Sequence, residues 1–247
     1  MLSKSQISFV KSLHQKKYRK ENGLFFVEGQ KSVQSFINSS YKVQAIYHVA
    51  EKSAFISQLP ANINLFELNN VELGKISALQ NPQDLLALVK IPETKVASYT
   101  QFKNNFTLVL DGVQDPGNLG TIIRTADWFG IKNIVCSHNT VEAYNPKTVQ
   151  ATMGSLAATN IYYTNLPRFL NEVALPIFGA LLEGKSIYKT NFGTEGLIVL
   201  GNEGNGISAE IIAQIANRVT IPRIGDAESL NVAISAAIFC AEIARKG

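Results

Sequence analysis

Histidine, cysteine and tryptophan are scarce in this 247-residue chain, at three, two and one. Cys136 and Cys240 end apolar runs and have no CxxC or Cys/His partner beside them. They read as buried thiols in a reducing compartment, which argues against a disulfide framework or a cysteine metal site. His14, His48 and His138 are too scattered to form a metal cluster. No run of 18 apolar residues occurs, and "MLSKSQISFVKSLHQKKYRK" lacks the uninterrupted apolar core of a signal peptide. A soluble, cytoplasmic protein is expected. In the stretch 111–130 the glycine spacing fits neither G-x-G-x-x-G nor G-x-x-x-x-G-K-[ST], so a Rossmann fingerprint or a P-loop is not supported there. Internal repeats and low-complexity tracts are also missing.

What is present is ordinary globular material, 46% apolar and 17% charged, with an uneven charge distribution. Residues 1–31 carry seven Lys/Arg against two Glu, a net +5, while the other 216 residues sum to about −1. A positive front on a near-neutral body suits a polyanion, nucleic acid first, although a solubilising basic helix has the same composition.

Short apolar runs alternate with helical patterns, which predicts an α/β chain. In the first part, strands are expected at 25–27, 43–49, 63–68 and 85–91, with helices near 3–15, 30–38, 51–58 and 70–78. "PETKVASYTQFKNN" opens with proline and is weakly periodic, so it reads as a linker. The predicted division is a small α/β domain at 1–93, a linker at 94–105 and a larger α/β domain at 106–247. The larger domain reads as strands at 107–111, 131–136, 160–164, 177–182, 197–200 and 219–221. Helices are expected between and after them at 119–129, 147–153, 166–174, 208–217 and 230–245. This order favours a mostly parallel sheet covered on both faces, with chemistry in the loops beyond the strands' carboxyl ends.

Three such loops stand out. In "DGVQDPGNLGTIIRTADWFG", residues 111–130, Asn118 is expected to cap a helix whose apolar face is Ile122, Ile123, Ala126 and Phe129, and Gly130 to stop it. Arg124 points away from that face. It is either a solvated arginine paired weakly with Asp127 or a guanidinium suited to grip a phosphate. In "GLIVLGNEGNGIS", residues 196–208, an apolar strand runs into Gly201, Gly204 and Gly206, with Glu203 mid-turn and Ser208 as the next cap. In "IPRIGDAESLNVAISAAIFCAEI", residues 221–243, Ser229 is expected to cap a final helix rich in Ala233, Ser235, Ala236, Ala237 and Ala241. Asn231 in that first turn is either exposed or aimed at a ligand.

Taken together, these three stretches closely resemble the motifs of the SpoU family of RNA ribose 2′-O-methyltransferases, in the SPOUT superfamily. "ATMGSL", residues 151–156, resembles the segment between the first two motifs. "KSLHQKKYRKENGLFFVEGQKSV" is similar, more loosely, to the substrate-binding domain that many members carry in front.

The resemblance implies a parallel α/β catalytic domain with a deep C-terminal trefoil knot, contrary to general topology rules. It implies S-adenosylmethionine, without metal, held by the backbone at Leu200, Gly201, Ile221 and Leu230 with Met153 and Gly154 close by. The glycines would then leave room for a cofactor bound by main chain. The family's polar site positions fall on Asn118, Arg124, Glu203, Ser229 and Asn231, all present here. Two departures, "LAATNI" after Ser155 and Arg223 where a neutral residue is common, bear on substrate choice.

The implied reaction is methyl transfer to a ribose 2′-hydroxyl, in ribosomal RNA ahead of transfer RNA, by a homodimer. Lys16, Lys17, Arg19 and Lys20 would contact RNA phosphates. Arg124 would bind a phosphate and stabilise charge developing on the hydroxyl oxygen, since a guanidinium is a poor base; a general-base role is the alternative. A non-catalytic RNA-binding assembly factor that retains the fold is the competing class.

Overall fold

Apolar stretches bounded by turn residues form the strands in the computed structural model, which describes residues 2–93 and 99–246. The chain packs as two units, and residues 144–157 pack with the front one.

The front unit runs α1 (Lys4–Ser12), α2 (Lys16–Asn22), β1 (Leu24–Glu28), α3 (Gln30–Ile37), β2 (Val43–His48), α4 (Ser53–Ile56), β3 (Asn64–Glu67), α5 (Asn70–Ile76) and β4 (Leu85–Lys90). Its sheet has the order β1-β4-β2-β3, antiparallel except for the parallel pair β2–β3. Alternation along β1 feeds two cores. Leu24 and Phe26 pack with Val10, Leu13, Leu73 and Ile76. Phe25 faces the other way, into a cluster with Phe36, Tyr41 and Tyr144. The helix expected over 3–15 is interrupted, and a second, α2, carries the basic residues.

That interruption corrects one expectation. Arg19 does not face RNA: it is 2% exposed. Its Nη1 donates to the carbonyls of Leu13 (2.8 Å) and His14 (2.9 Å), both just past the end of α1. Carbonyls left over at a helix end need donors, and a buried guanidinium supplies them here. Lys16, Lys17 and Lys20 remain exposed. Arg19→Ala is therefore expected to cost about 3 kcal/mol of stability, from two charge-assisted bonds and a buried side-chain stem. Chemical denaturation measures this; an unchanged midpoint would remove the structural role.

Of the predicted linker, residues 94–98 lie outside the described residues. Tyr99–Phe102 form a short 3-10 turn, and Phe102 is fully buried against Tyr162 and Phe169.

The second unit contains β5 (Phe106–Leu110), α6 (Pro116–Trp128), β6 (Asn133–Ser137), β7 (Asn160–Thr164), α8 (Leu166–Glu172), β8 (Ile177–Ser186), β9 (Gly196–Leu200), α9 (Ala209–Ile212), β10 (Asn217–Thr220) and α10 (Val232–Lys246). The helix between β6 and β7, α7 (Pro146–Ala151), belongs to the front unit. The six strands are parallel in the order β10-β8-β9-β5-β6-β7. β9 is buried along its whole length and β5 from Thr107 onward, as near-continuous apolar runs require. One face packs on α8 and α9 through Phe169, Leu170 and Ile211. On α6, Ile122, Ile123 and Ala126 are fully buried, and α10 packs against this helix with Ala233 and Ala236 buried.

The helix expected over 208–217 is a single turn, because Asn217 must already enter β10. β8 runs four residues past its predicted end. Its pairing with β10 jumps from Gly179↔Arg218 to Lys185↔Val219, so residues 180–184 bow out of the ladder. Among the described residues, no helix is long and apolar enough to cross a membrane.

Candidate active site

β5 and β9 are neighbours in register, with Leu110 opposite Leu200, so the loops that follow them must run side by side. Hydrogen bonds then fasten the loops together. Asp111 N donates to the Leu200 carbonyl (2.9 Å), and the buried Asp111 carboxylate accepts from Ser208 N (2.8 Å). The peptide groups of Gly112, at φ +73°, are held from both sides: its N–H by Ser137 Oγ (2.9 Å), its carbonyl by Asn202 Nδ2 (2.7 Å).

The cap of α6 is Asp115, not Asn118 as expected. Asp115 Oδ1 accepts from Asn118 N at 2.8 Å, and Pro116 opens the helix. Aspartate before proline is the stronger start signal, because proline at the first helical position needs no N–H partner. This frees the Asn118 side chain, which donates from Nδ2 to Glu203 Oε1 (2.9 Å) and accepts at Oδ1 from Asn231 Nδ2 (2.9 Å). Asn231, not Ser229, caps α10, its Oδ1 accepting from Ala233 N (2.8 Å) and Ile234 N (3.3 Å). One chain of side chains, Glu203–Asn118–Asn231, thus ties all three motif loops together.

Glu203 also accepts from the backbone N–H groups of Gln114 and Asp115, each at 3.3 Å. Its carboxyl is held below the ordinary 4.5. Burial is the largest influence and raises it, but the Asn118 amide and the backbone N–H groups of Glu203, Gln114 and Asp115 outweigh it. A carboxyl lowered in the folded state stabilises the fold fully above its unfolded value, and this contribution is lost as pH falls through the folded value. The melting-temperature gap between the wild type and Glu203→Gln should therefore narrow as pH is lowered through and below 4.5. A gap independent of pH would show that ionisation of Glu203 is not what holds the loop.

Beyond the carboxyl ends of β9 and β10, against the bowed middle of β8, lies a cavity of about 540 Å³. Leu200, Gly201, Ile221 and Leu230 all line it, as do Glu203 and Ser229. Asn118 and Asn231 join through the hydrogen bonds above. Arg124 is not brought into this network: it is exposed on α6, with no hydrogen bond or ion pair among the described residues, Asp127 included. Met153 and Gly154 do not line the cavity and pack with the front unit, where a Cβ on Gly154 would lie 2.8 Å from Ser35 Oγ and 3.5 Å from Ser32 Cα on α3. Motif reading missed Ala180, Leu181 and Leu182, the bowed part of β8, which form one wall. It also missed Asn202, whose Oδ1 accepts from Gly204 N and Asn205 N and so shapes the turn.

The reason for Gly201 also differs from the expected one. A Cβ there would lie 2.1 Å from the Gly206 carbonyl carbon and 2.2 Å from Ile207 N. The loop folds back on itself through paired Asn202–Gly206 bonds of 2.9 and 3.0 Å, so the glycine admits the loop's own backbone. The resulting cavity, with apolar walls from Leu181, Leu200, Ile221 and Phe239 and a rim of main chain, fits an adenosine-sized group. Among the described residues, no three His, Cys, Asp or Glu side chains are grouped to hold a metal ion.

Residues 105–241 match the family model described as the SpoU rRNA Methylase family, and residues 4–87 that of an MRM3-like substrate binding domain. The chain is 33% identical over 233 residues to the 23S rRNA (guanosine(2553)-2'-O)-methyltransferase RlmP of Bacillus subtilis, covering 93% of this chain and 92% of that one. It superposes with a TM-score of 0.90 on an AdoMet-bound rRNA methyltransferase from Sinorhizobium meliloti, 27% identical, over 99% and 96% of the two chains. A TrmH-family protein from Porphyromonas gingivalis, 39% identical, matches over 100% of both chains, also at 0.90.

Proposed function

The chain belongs to the SpoU rRNA methylase family, and we propose that it transfers a methyl group from S-adenosylmethionine to a ribose 2′-hydroxyl of ribosomal RNA, large-subunit RNA first. The observation that carries this reading is the cavity walled by Leu200, Gly201, Ile221 and Leu230, closed on one side by the Glu203–Asn118–Asn231 chain.

When bound, S-adenosylmethionine supplies a methyl group already activated by the positive charge on its sulfur. The chain's own residues have to hold the cofactor and position and activate the hydroxyl. Glu203 is ionised at neutral pH and fully engaged as an acceptor, and its lowered pKa makes it a weak base. It is a positioning residue, as are Asn118 and Asn231: they keep the starts of α6 and α10 against the second loop. Ser229, on the cavity wall, is placed to orient what binds there. The free guanidinium of Arg124 is the group to bind the adjacent phosphate and stabilise charge developing on the 2′ oxygen. Lys16, Lys17 and Lys20 add phosphate contacts from the front unit.

A homodimer is part of this proposal. Trp128, one turn beyond Arg124, is 84% exposed, and Ile234 on α10 is 50% exposed, an unusual amount of apolar surface for an uncovered pair of packed helices. A second copy covering them would set Arg124 close to a subunit boundary. The deep trefoil knot belongs to the same proposal, supported by the convergence of the loops after β9 and β10 on one cavity. So does a cytoplasmic location, where ribosomal RNA is available.

The test is methyl transfer from radiolabelled S-adenosylmethionine to total RNA from a strain lacking this protein, separated by size. Label in the large ribosomal RNA is expected. Label confined to transfer RNA would overturn the substrate assignment. No S-adenosylmethionine binding by calorimetry, together with no label, would overturn the enzymatic reading.

A further inference from the structure

A groove of about 790 Å³ opens on the front unit, between the start of α3, the 78–83 turn and the 146–153 segment. It is larger than the cavity described above, and the chemistry of methyl transfer leaves it unused. Three glutamines, Gln30, Gln83 and Gln150, stand exposed around it, and among the described residues no hydrogen bond holds their amides. Two charged residues line it. The carboxylate of Glu28 is engaged, accepting from Ser77 Oγ and from Ala78 N. That leaves Lys31 as the unengaged charge.

The groove is also bordered by a backbone outlier. Met153 has φ +52°, a left-handed conformation that costs a non-glycine residue energy, and strain of this kind clusters at functional sites. Its N–H donates to the Gln150 carbonyl (3.1 Å), and its side chain is 58% exposed beside the groove. A thioether held out to solvent at such a cost suits a flat, polarisable partner.

We propose that this groove takes an unpaired nucleotide of the RNA substrate, an inference that rests on the reading of the protein as an RNA methyltransferase. Three requirements of a nucleotide are met by three kinds of group. Primary amides donate and accept together, which matches the edge of a base. Met153, with Leu79 and Val149, offers an apolar surface to the base face. Lys31 takes the phosphate as a point charge. Paired RNA presents neither its base faces nor its Watson–Crick edges, so the occupant is a splayed-out, single-stranded nucleotide. The scarcity of charge around the groove points the same way: it selects by base contact, while the exposed lysines of α2 supply the unspecific attraction.

The experiment uses the full chain, fluorescent hexamers of adenylate, cytidylate and uridylate, and a 12-base-pair RNA duplex, read by anisotropy. At least one hexamer should bind more tightly than the duplex. The triple variant Gln30→Ala/Gln83→Ala/Gln150→Ala, exposed sites that leave the fold's melting temperature unchanged, should weaken that hexamer about 30-fold or more. Lys31→Ala should lower the salt slope by about one phosphate contact. Equal hexamer binding by the triple variant, or no hexamer preferred over the duplex, overturns the proposal. Full displacement of the hexamer by millimolar nucleoside monophosphates would overturn it too, in favour of a site for free nucleotides. Transfer assays separate the two readings. A parent that methylates ribosomal RNA, with unchanged KM in the triple variant, retains its function and loses the groove. A parent that methylates nothing but shows the hexamer result keeps the groove and loses the function.

Discussion

Arg124→Ala protein is expected to lose methyl transfer by about a thousand-fold or more while binding S-adenosylmethionine within about twofold of the wild type. The structure supplies the reason for both halves. Arg124 lies outside the cavity lining and has no partner among the described residues, so its removal disturbs neither the walls nor the Glu203–Asn118–Asn231 chain. A charged fork left unpaired on a helix surface is available for a phosphate and for charge that appears only as the hydroxyl loses its proton. Arg124→Lys should recover part of the RNA affinity and little of the rate, because lysine keeps the charge but not the two-pronged geometry. Transfer and calorimetry on the same preparations check this. Retained transfer in Arg124→Ala would remove the residue from the mechanism, and lost cofactor binding would make it a structural residue.

Gly201→Ala should do the opposite. A methyl group there would overlap the Gly206 and Ile207 backbone, so the paired Asn202–Gly206 turn cannot close. The turn carries Glu203, and through it the contacts to Asn118 and to the 114–115 backbone. Cofactor affinity is expected to fall about a hundred-fold, which corresponds to the upper range for overpacking a closed site. RNA binding by the front unit should survive, and Arg124 would be present and intact yet unproductive. Calorimetry with S-adenosylmethionine and anisotropy with RNA distinguish the two losses. Unchanged cofactor affinity would mean that the turn is free to rearrange and that the cavity does not depend on its present shape.

The predicted elements were legible where the pattern is local and repeated. The buried strands at 107–111 and 197–200 follow from short unbroken apolar runs, and the α6 face of Ile122, Ile123 and Ala126 from a period of 3.6 residues. Helix caps were less legible, because neighbouring residues compete for one role. Asp115 and Asn118 can both cap α6, and Ser229 and Asn231 can both cap α10; proline placement and long-range contacts decide between them. Arg19 was misread for a related reason. In a run of Lys and Arg each residue looks alike, and only the ending of α1 at Leu13 and His14 gives one of them carbonyls to satisfy.

By itself the sequence determined that this is an α/β chain with a basic front, a parallel back sheet and three loops rich in glycine and amides, because hydrophobic period and turn chemistry act over a few residues. Tertiary structure alone decided that Glu203 meets Asn118 across 85 positions and Asn231 meets Asn118 across 113. It also bowed β8 into a cavity wall and buried Arg19. Strand order sets which loops become neighbours, and strand order depends on how whole faces are covered, a balance that no local stretch of the chain records.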